Sequence, residues 1–482
     1  MARITTSGAG SPDERRAFAR DLGGRLPEGF ELGVTTSAFQ IEGATHEGGR
    51  GESVWDAFSQ EAGRIADGST ADRAADHFHR MPEDVALMQG LGIDTYRFSF
   101  SWPRLQAEGR GALRSSGTDF YERLLDRLDA AGIRSFATLF HWDTPAALGP
   151  GWFSRDTALR FGDYAFALGE RFGDRIGRWA TIEEPATVTF AGHAIGVHAP
   201  GATRLFNALP VAHHQLLGHG LAVQALRAAG VQGGIGIVNA HSPVVPETDS
   251  DADTAFAELY DVLQNRVYAD AVLLGRYPQP PEGFEALFTA LAEADPVDLA
   301  LIGQPLDFYG LNYRFPTKIA AGSGVAATPD GGSAAMASLP FHFADWPEYP
   351  ASGSGDPIAP EFLGTALREL AERYGSALPP VFVTANGVSF PDAVELEEGT
   401  GTPRVHDGLR IDYLARHLDE AVGAAASAGV DLRGYFVRSL LDDFGWEAGF
   451  TRRSGIVHVD FDEFTRKPKD SFAWLRLLAE SR

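Results

Sequence analysis

Val381-Phe382-Val383-Thr384-Ala385-Asn386-Gly387 is a short, largely β-branched and apolar run, and it reads as a buried strand that ends at a polar turn. Seven more runs of the same kind precede or follow it: Phe30 to Thr35, Thr95 to Phe100, Ser135 to Leu139, Trp179 to Ile182, Ile235 to Val238, Phe308 to Asn312 and Gly434 to Val437. Between them lie stretches with helical periodicity, among them Thr118 to Ala131, Ala158 to Phe172, Leu209 to Ala229, Ala255 to Leu273 and Tyr413 to Ser427. Strand and helix alternating eight times predict an α/β chain folded as a single (β/α)8 TIM barrel. The domain is expected to take up residues 1–482, with the barrel at about residues 28–478 and residues 1–20 a flexible N-terminal segment. In such a barrel, chemistry belongs at the C-terminal ends of the strands and in the loops after them. The Gly/Ala/Ser/Pro-rich stretch from Ala320 to Ser338 and the stretch from Asp345 to Pro357 read as one long rim loop after the sixth strand.

Composition narrows the partners. The chain of 482 residues is 44% hydrophobic and 22% charged, with a formal net charge of −24. That acidity argues against nucleic acid or an anionic membrane as partner, since either needs a basic face. There is no cysteine, so no disulfide, no thiolate nucleophile and no Cys-ligated metal is available, which fits a reducing compartment. Arg3 is followed by Gly, Ser, Pro, Asp and Glu where a secretory signal needs an apolar core, and no later run is long enough to span a bilayer. A cytoplasmic protein is expected. Lysine occurs only at Lys318, Lys467 and Lys469 against abundant Arg, Ala and Gly, which suits the coding bias of a GC-rich bacterium. No cofactor is implied: there is no His-Glu-x-x-His, no phosphate loop and no strand-linked dinucleotide glycine motif.

The residues that carry chemistry fall mostly at the ends of the predicted strands. Leu32-Gly33-Val34-Thr35-Thr36-Ser37-Ala38-Phe39-Gln40-Ile41-Glu42-Gly43-Ala44 opens the series, and Ser53-Val54-Trp55-Asp56 and Asp76-His77-Phe78-His79-Arg80 follow. Tyr96-Arg97-Phe98-Ser99-Phe100-Ser101-Trp102-Pro103-Arg104, Phe140-His141-Trp142-Asp143 and Thr181-Ile182-Glu183-Glu184-Pro185 come next. His198-Ala199-Pro200-Gly201 and Gly275-Arg276-Tyr277-Pro278 continue the order. A Glu-Glu pair alone is usually a solvated surface patch, and a lone His141 is more often a packing residue. So many segments in one order, from about Phe30 to Trp474, resemble glycoside hydrolase family 1, the β-glucosidase family.

That resemblance implies a sugar pocket and names its residues. Glu184 takes the place of the general acid/base, which protonates the leaving oxygen. Gln40, His141 and Trp142 match positions that bind and pack the sugar, and Arg97 matches the arginine beside the nucleophile. Asn312, Trp346 and Trp446 complete the candidate substrate contacts. The ligand expected is a small glycoside or sugar-like molecule.

The nucleophile is missing. Where the family resembled has Glu in its Thr-Glu-Asn-Gly, this chain has Ala385, and a methyl group cannot form a glycosyl-enzyme ester. Retaining glycosidases hold their two carboxyl groups about 5 to 5.5 Å apart, inverting ones about 6.5 to 9.5 Å; only the acid/base half of the retaining pair is present. Glu183 stands for the Asn that contacts the 2-hydroxyl, and Arg314 for the Tyr bonded to the nucleophile. Arg438 stands for the glycone Trp, Asp443 for Asn, Gly445 for the Glu that grips the 4- and 6-hydroxyls, and Ser454 for an aromatic residue. An engineered knock-out explains Ala385 but not this cluster, which favours a remodelled site.

Two consequences follow for charge. Either the new arginines, Arg314 and Arg438, neutralise the new acids, Glu183 and Asp443, or they receive a ligand carrying its own carboxylate or phosphate. Three functional readings stand. The first is a glycosidase-like enzyme using Glu184 without a covalent intermediate, with Glu183 as base or with a nucleophile brought by the substrate. The second is a non-catalytic glycoside-binding protein, and the third a retaining β-glycosidase disabled at Ala385.

Overall fold

All eight runs are strands of one closed parallel barrel, in a computed structural model that describes residues 10–323, 334–397, 399 and 401–482. They are β1 (Glu31–Thr35), β2 (Thr95–Ser99), β3 (Arg134–Phe140), β4 (Arg178–Glu183), β5 (Gly234–Ala240), β6 (Phe308–Asn312), β7 (Val381–Asn386) and β8 (Leu432–Arg438). Each pairs with its neighbours in chain order, and β8 closes on β1 with Glu31 opposite Gly434 and Thr35 opposite Arg438. The strands are largely buried on both faces because helices cover the outside and a packed plug fills the inside. β1, β2, β6 and β7 are buried at every residue.

The plug is aromatic. Phe136 of β3 meets Phe308 of β6 and Phe436 of β8 edge to face, with ring centroids 5.2 and 5.6 Å apart, and Phe382 of β7 joins Phe308 at 5.8 Å. Ala180 and Val238 fill the remaining space in this layer. The barrel is therefore solid through its middle, and any ligand must enter at the C-terminal mouth.

The helices follow the predicted pattern, with one division. The expected helix from Ala255 to Leu273 is Asp251–Asp261, a wide π-helical turn Val262–Arg266, and Val267–Leu274. The turn is held open by Asn265, whose side chain takes the N–H of Ser242 and donates to Ser242 O and Asp261 Oδ1, at 3.2, 2.9 and 2.8 Å. Among the described residues, no helix is long and apolar enough to cross a membrane.

Two expectations about the ends and rim are corrected. Residues 1–9 lie outside the described residues, but from Pro12 the segment expected to be flexible is the helix Pro12–Arg25. A capping box between Ser11 and Glu14 starts it, Arg15 makes two 2.8 Å bonds to Asp412, and Trp474 donates to Arg15 O at 3.1 Å. Local capping and docking on the last two helices of the barrel order what composition suggested was loose. The rim, expected as one long loop, contains a small sheet of Val244–Pro246, Thr317–Ala321 and Phe341–Phe343; residues 324–333 of that expected loop lie outside the described residues. Further on, Ser352 and Ser354 bind Asp356 in a tight polar turn at the mouth.

Candidate active site

The end of β4 breaks the alternation of a strand. Side chains of successive strand residues point to opposite faces, yet Glu183 and Glu184 both line one cavity. The cause is the backbone of Glu184, at φ 43° and ψ 63°, a left-handed conformation that turns the chain before Pro185 opens the next helical turn. A non-glycine residue held there costs about 1–3 kcal/mol, the kind of strain found at functional sites.

Glu183 is spoken for. Arg97 of β2 forms a buried ion pair with it, Nη2 to Oε2, and a second bond of 3.3 Å from Nη1 to Oε1; the two side chains are 1% and 3% exposed. The same guanidinium donates to Thr138 Oγ1 at 3.0 Å and to Thr384 O at 3.3 Å. Such a pair removes the charge of a cation that could not be buried alone.

Glu184 is held from three sides. Asn312 Nδ2 donates to Glu184 Oε1 at 2.7 Å and, with its other proton, to Glu183 Oε1 at 2.7 Å. The two carboxylate oxygens, each 2.7 Å from one nitrogen, are therefore less than about 5.4 Å apart. The Asn312 amide is oriented by Thr384 Oγ1, which donates to its Oδ1 at 2.7 Å. Thr187 Oγ1 donates to Glu184 Oε2 at 2.8 Å, and Arg314 Nη2 approaches the same oxygen at 3.3 Å. Arg314 is 47% exposed and reaches Glu184 from the open side of the cavity.

Three strands further round the barrel, the wall at the end of β7 carries no charge. Ala385 presents its methyl group to the cavity. The next side chain, Asn386, is consumed by the protein: Nδ2 donates to Tyr313 O at 3.0 Å and Tyr413 Oη at 3.1 Å, and Oδ1 accepts from Tyr435. At Gly387 a Cβ would lie 1.6 Å from the carbonyl oxygen of Arg438, so only glycine lets the ends of β7 and β8 approach this closely.

The end of β8 supplies the last wall. Arg438 donates to Gln40 Oε1 at 3.3 Å and stands 3.7 Å from Asp443, an ion pair without a hydrogen bond. Burial pushes the Asp443 carboxyl up to about 6, with Arg438 opposing. Gln40 also accepts from Ser37 at 2.8 Å and donates to Phe444 O at 2.7 Å, which leaves one amide proton for a ligand. At Gly445 the chain closes on Gly449 through two mutual backbone bonds of 2.8 and 2.9 Å, and a Cβ there would press Ala448 at 3.1 Å. A side chain there would have to displace Ala448 slightly.

Most sequence-predicted residues meet in this cavity of about 320 Å³: Gln40, Arg97, His141, Glu183, Glu184, Asn312, Arg314, Ala385, Arg438, Asp443 and Trp446 all line it. Two do not. Trp142 lies behind the wall, donating from Nε1 to Glu183 O at 2.9 Å and packing on Trp446 at 4.7 Å. Trp346 is on the rim, edge-on to Phe362 and Tyr349 with Lys318 over its ring at 4.2 Å. His141 is held well below the usual imidazole range by desolvation and then by the charge of Arg97, so it meets a ligand as neutral imidazole.

Sequence reasoning missed Thr187, His198, Asp356, Tyr413 and Glu447. His198 sits in a motif that was legible, and pairs with Glu447 at 2.8 Å on the cavity wall. Burial raises the Glu447 carboxyl, but the His198 bond and neighbouring positive charges outweigh it and hold the group below its usual value. Thr187 was detectable as a hydroxyl three residues after Glu184, one helical turn on.

Comparison with known proteins places this geometry. The model of the family "Glycosyl hydrolase family 1" matches residues 22–482. Beta-glucosidase A of Thermotoga maritima is 38% identical over 453 residues, covering 93% of this chain and 96% of that protein. Among solved structures, the psychrophilic β-glucosidase BglU of Micrococcus antarcticus superposes with a TM-score of 0.88 at 39% identity, over 96% of this chain and 99% of that one. The virulence factor SghA of Agrobacterium tumefaciens, solved with its substrate analogue salicin, gives 0.87 at 36% identity over 96% and 98%. With the barrel and nearly the full length shared, this chain belongs to glycosyl hydrolase family 1.

Proposed function

We propose that this chain acts on a small β-glycoside, with Glu184 moving a proton to and from the glycosidic oxygen and no glycosyl-enzyme ester at position 385. One observation carries the reading: Arg97 is already neutralised by Glu183, so the pocket is electrically closed without a carboxylate on the β7 wall. A knock-out of a nucleophile alone would have left that buried cation without its partner. The same pairing makes Glu183 a poor base, since Arg97 and Asn312 occupy it, and gives it the role of a charge partner. The new arginines likewise have acids of their own, Arg314 at Glu184 and Arg438 beside Asp443, which favours internal neutralisation over a requirement for an anionic ligand.

The names of the relatives direct the first substrates to β-glucosides and to aryl glucosides of the salicin kind. Arg438, Gly445 and Ser454 alter the wall at the β8 end, so the preferred sugar is expected to differ from glucose. The test is turnover of a panel of aryl β-glycosides followed by mass spectrometry. Glu184→Gln should lower it by about a hundredfold or more while ligand binding persists; unchanged turnover would sink the reading. Ala385→Glu should not restore ordinary hydrolysis, because Arg97 is already engaged.

A second reading, a non-catalytic glycoside-binding protein, draws on the donors that Glu183 and Glu184 already hold, from Arg97, Asn312, Thr187 and Arg314. Tight binding of a glycoside with no product after long incubation would establish it, and any Glu184-dependent product would exclude it.

A further inference from the structure

We propose that the substrate is a 2-acetamido-2-deoxy-β-glycoside, whose own amide carbonyl attacks the anomeric carbon in place of an enzyme nucleophile. This rests on the reading of Glu184 given above and names the substrate class for the same pocket.

The two walls of the mouth set the requirement. Glu184 stands at the end of β4, and the end of β7, three of eight strands away around the barrel, faces it across the cavity. A leaving group protonated by Glu184 therefore departs toward β4, and attack must come from the side of Ala385. At the strand end itself no side chain can attack. Ala385 offers a methyl group, and the amide of Asn386 is fully used. The Tyr413 hydroxyl is raised by burial and stays a phenol. With position 385 reduced to a methyl group, the cavity has room there for an attacking atom carried by the ligand.

The β4 wall identifies the group. On a pyranoside, the leaving oxygen and the C2 substituent sit on adjacent carbons, so two acceptor or donor groups side by side can serve both. Glu183 and Glu184 are such a pair, turned to the same side by the left-handed backbone at 184 and spaced by one amide nitrogen. Glu183 Oε2 accepts from Arg97 Nη2 and keeps a second lone pair. An acetamido N–H at C2 would satisfy it, and the acetyl methyl would rest on the apolar patch of Ala385 and Val388. Substrate-assisted hydrolysis of this kind is a known departure from the two-carboxylate scheme.

The steps balance. The amide carbonyl oxygen bonds to C1 as the bond from C1 to the leaving oxygen breaks, and Glu184 gives that oxygen its proton. The resulting bicyclic oxazolinium ion keeps its N–H on Glu183. Water then attacks C1 and gives its proton to Glu184 as the bond from C1 to the oxazolinium oxygen opens, which restores the acetamide and yields sugar and alcohol with net retention.

The test uses the full chain with 4-nitrophenyl 2-acetamido-2-deoxy-β-glycosides of gluco and galacto configuration, the matching plain β-glycosides, and the thiazoline analogue of the oxazoline. The acetamido substrate should be hydrolysed with retention by NMR, more slowly as the acetyl group is fluorinated, and the thiazoline should bind in a thermal-shift assay. Glu183→Gln should lower kcat for the acetamido substrate by about a hundredfold while thiazoline still binds. Glu184-dependent cleavage of plain glycosides alone would overturn this inference and leave the role of Glu184 standing. Inversion, or no binding of the thiazoline, would also overturn it; turnover indifferent to Glu184→Gln would remove both.

Discussion

The walls at the ends of β4 and β7 are built from opposite materials. At β4, two adjacent carboxylates are pinned by an arginine, an asparagine and a threonine; at β7, the cavity meets a methyl group. Negative charge has not vanished from the floor of the mouth but stands on the other wall, and Arg97, which bonds to Glu183 on one side and Thr384 O on the other, is the cation both walls share. The largest expected effect follows from separating that cation from its partner. Glu183→Ala leaves a guanidinium 1% exposed with no counter-charge, and should cost about 3–5 kcal/mol in urea unfolding. Adding Ala385→Glu to that variant should recover a large part of the loss, whereas Ala385→Glu alone should destabilise by crowding a second acid onto one arginine. A double-mutant cycle without coupling would show that the two walls are independent.

Asn312 ties the comparison together, because it sits on β6, next to β7, and holds both acids of β4. Its two amide protons are divided between them and its oxygen is fixed by Thr384. Asn312→Ala removes three buried bonds and leaves acceptors without donors, at an expected cost of about 1–3 kcal/mol. Glu184 should also lose its orientation, so turnover should fall by more than the loss of folded protein explains; equal losses would confine Asn312 to stability.

The barrel was legible because its signals are local and repeated: each strand is a short run rich in apolar and β-branched residues, and the strand-end motifs fall mostly where a parallel barrel exposes them. The residues of the site were legible too, but not their partners. Sequence shows that Glu183 and Arg314 are both unusual; it does not show that Glu183 reaches across to Arg97 on β2 while Arg314 takes Glu184, since that depends on the left-handed turn at Glu184. The places of Trp142 and Trp346 were hidden for the same reason. Both lie near the site in sequence order, yet one supports the β4 backbone from behind and the other packs on the rim. The helix Pro12–Arg25 was hidden by a polar composition whose capping box and Arg15–Asp412 pair act only once the chain is folded.

Asp443 offers a smaller effect with a definite sign. Its carboxyl is raised by burial to about 6 from the usual 3.8, so the folded state holds the proton more tightly than the unfolded chain does. The stabilisation this gives is fully present below pH 3.8 and is lost as pH rises through 6. Asp443→Asn should therefore nearly match the parent near pH 4 and exceed it at pH 7.5 by on the order of 2–3 kcal/mol, with about half of the change by pH 5 and most of it by about pH 6. Arg438 is 30% exposed and can be hydrated once its loose partner is gone. A variant less stable at pH 7.5 would mean that Arg438 and Asp443 depend on each other as strongly as Arg97 and Glu183 do.

Arg314 should matter least to the fold, and the reason sharpens the contrast between the pairs. Both Arg97 and Arg314 neutralise a glutamate of β4, but Arg97 does so with 1% of its side chain exposed and Arg314 with 47%. An exposed guanidinium is solvated before and after the pair forms, so the pair adds under about 1 kcal/mol and is screened by salt. Arg314→Ala should shift the urea midpoint little, and the shift should shrink further in concentrated salt. Glu184 would still be held by Asn312 and Thr187, so its position should persist while the open side of the cavity loses its cation. A loss above about 2 kcal/mol, insensitive to salt, would mark a desolvated pair and make the two walls less different than their exposure says.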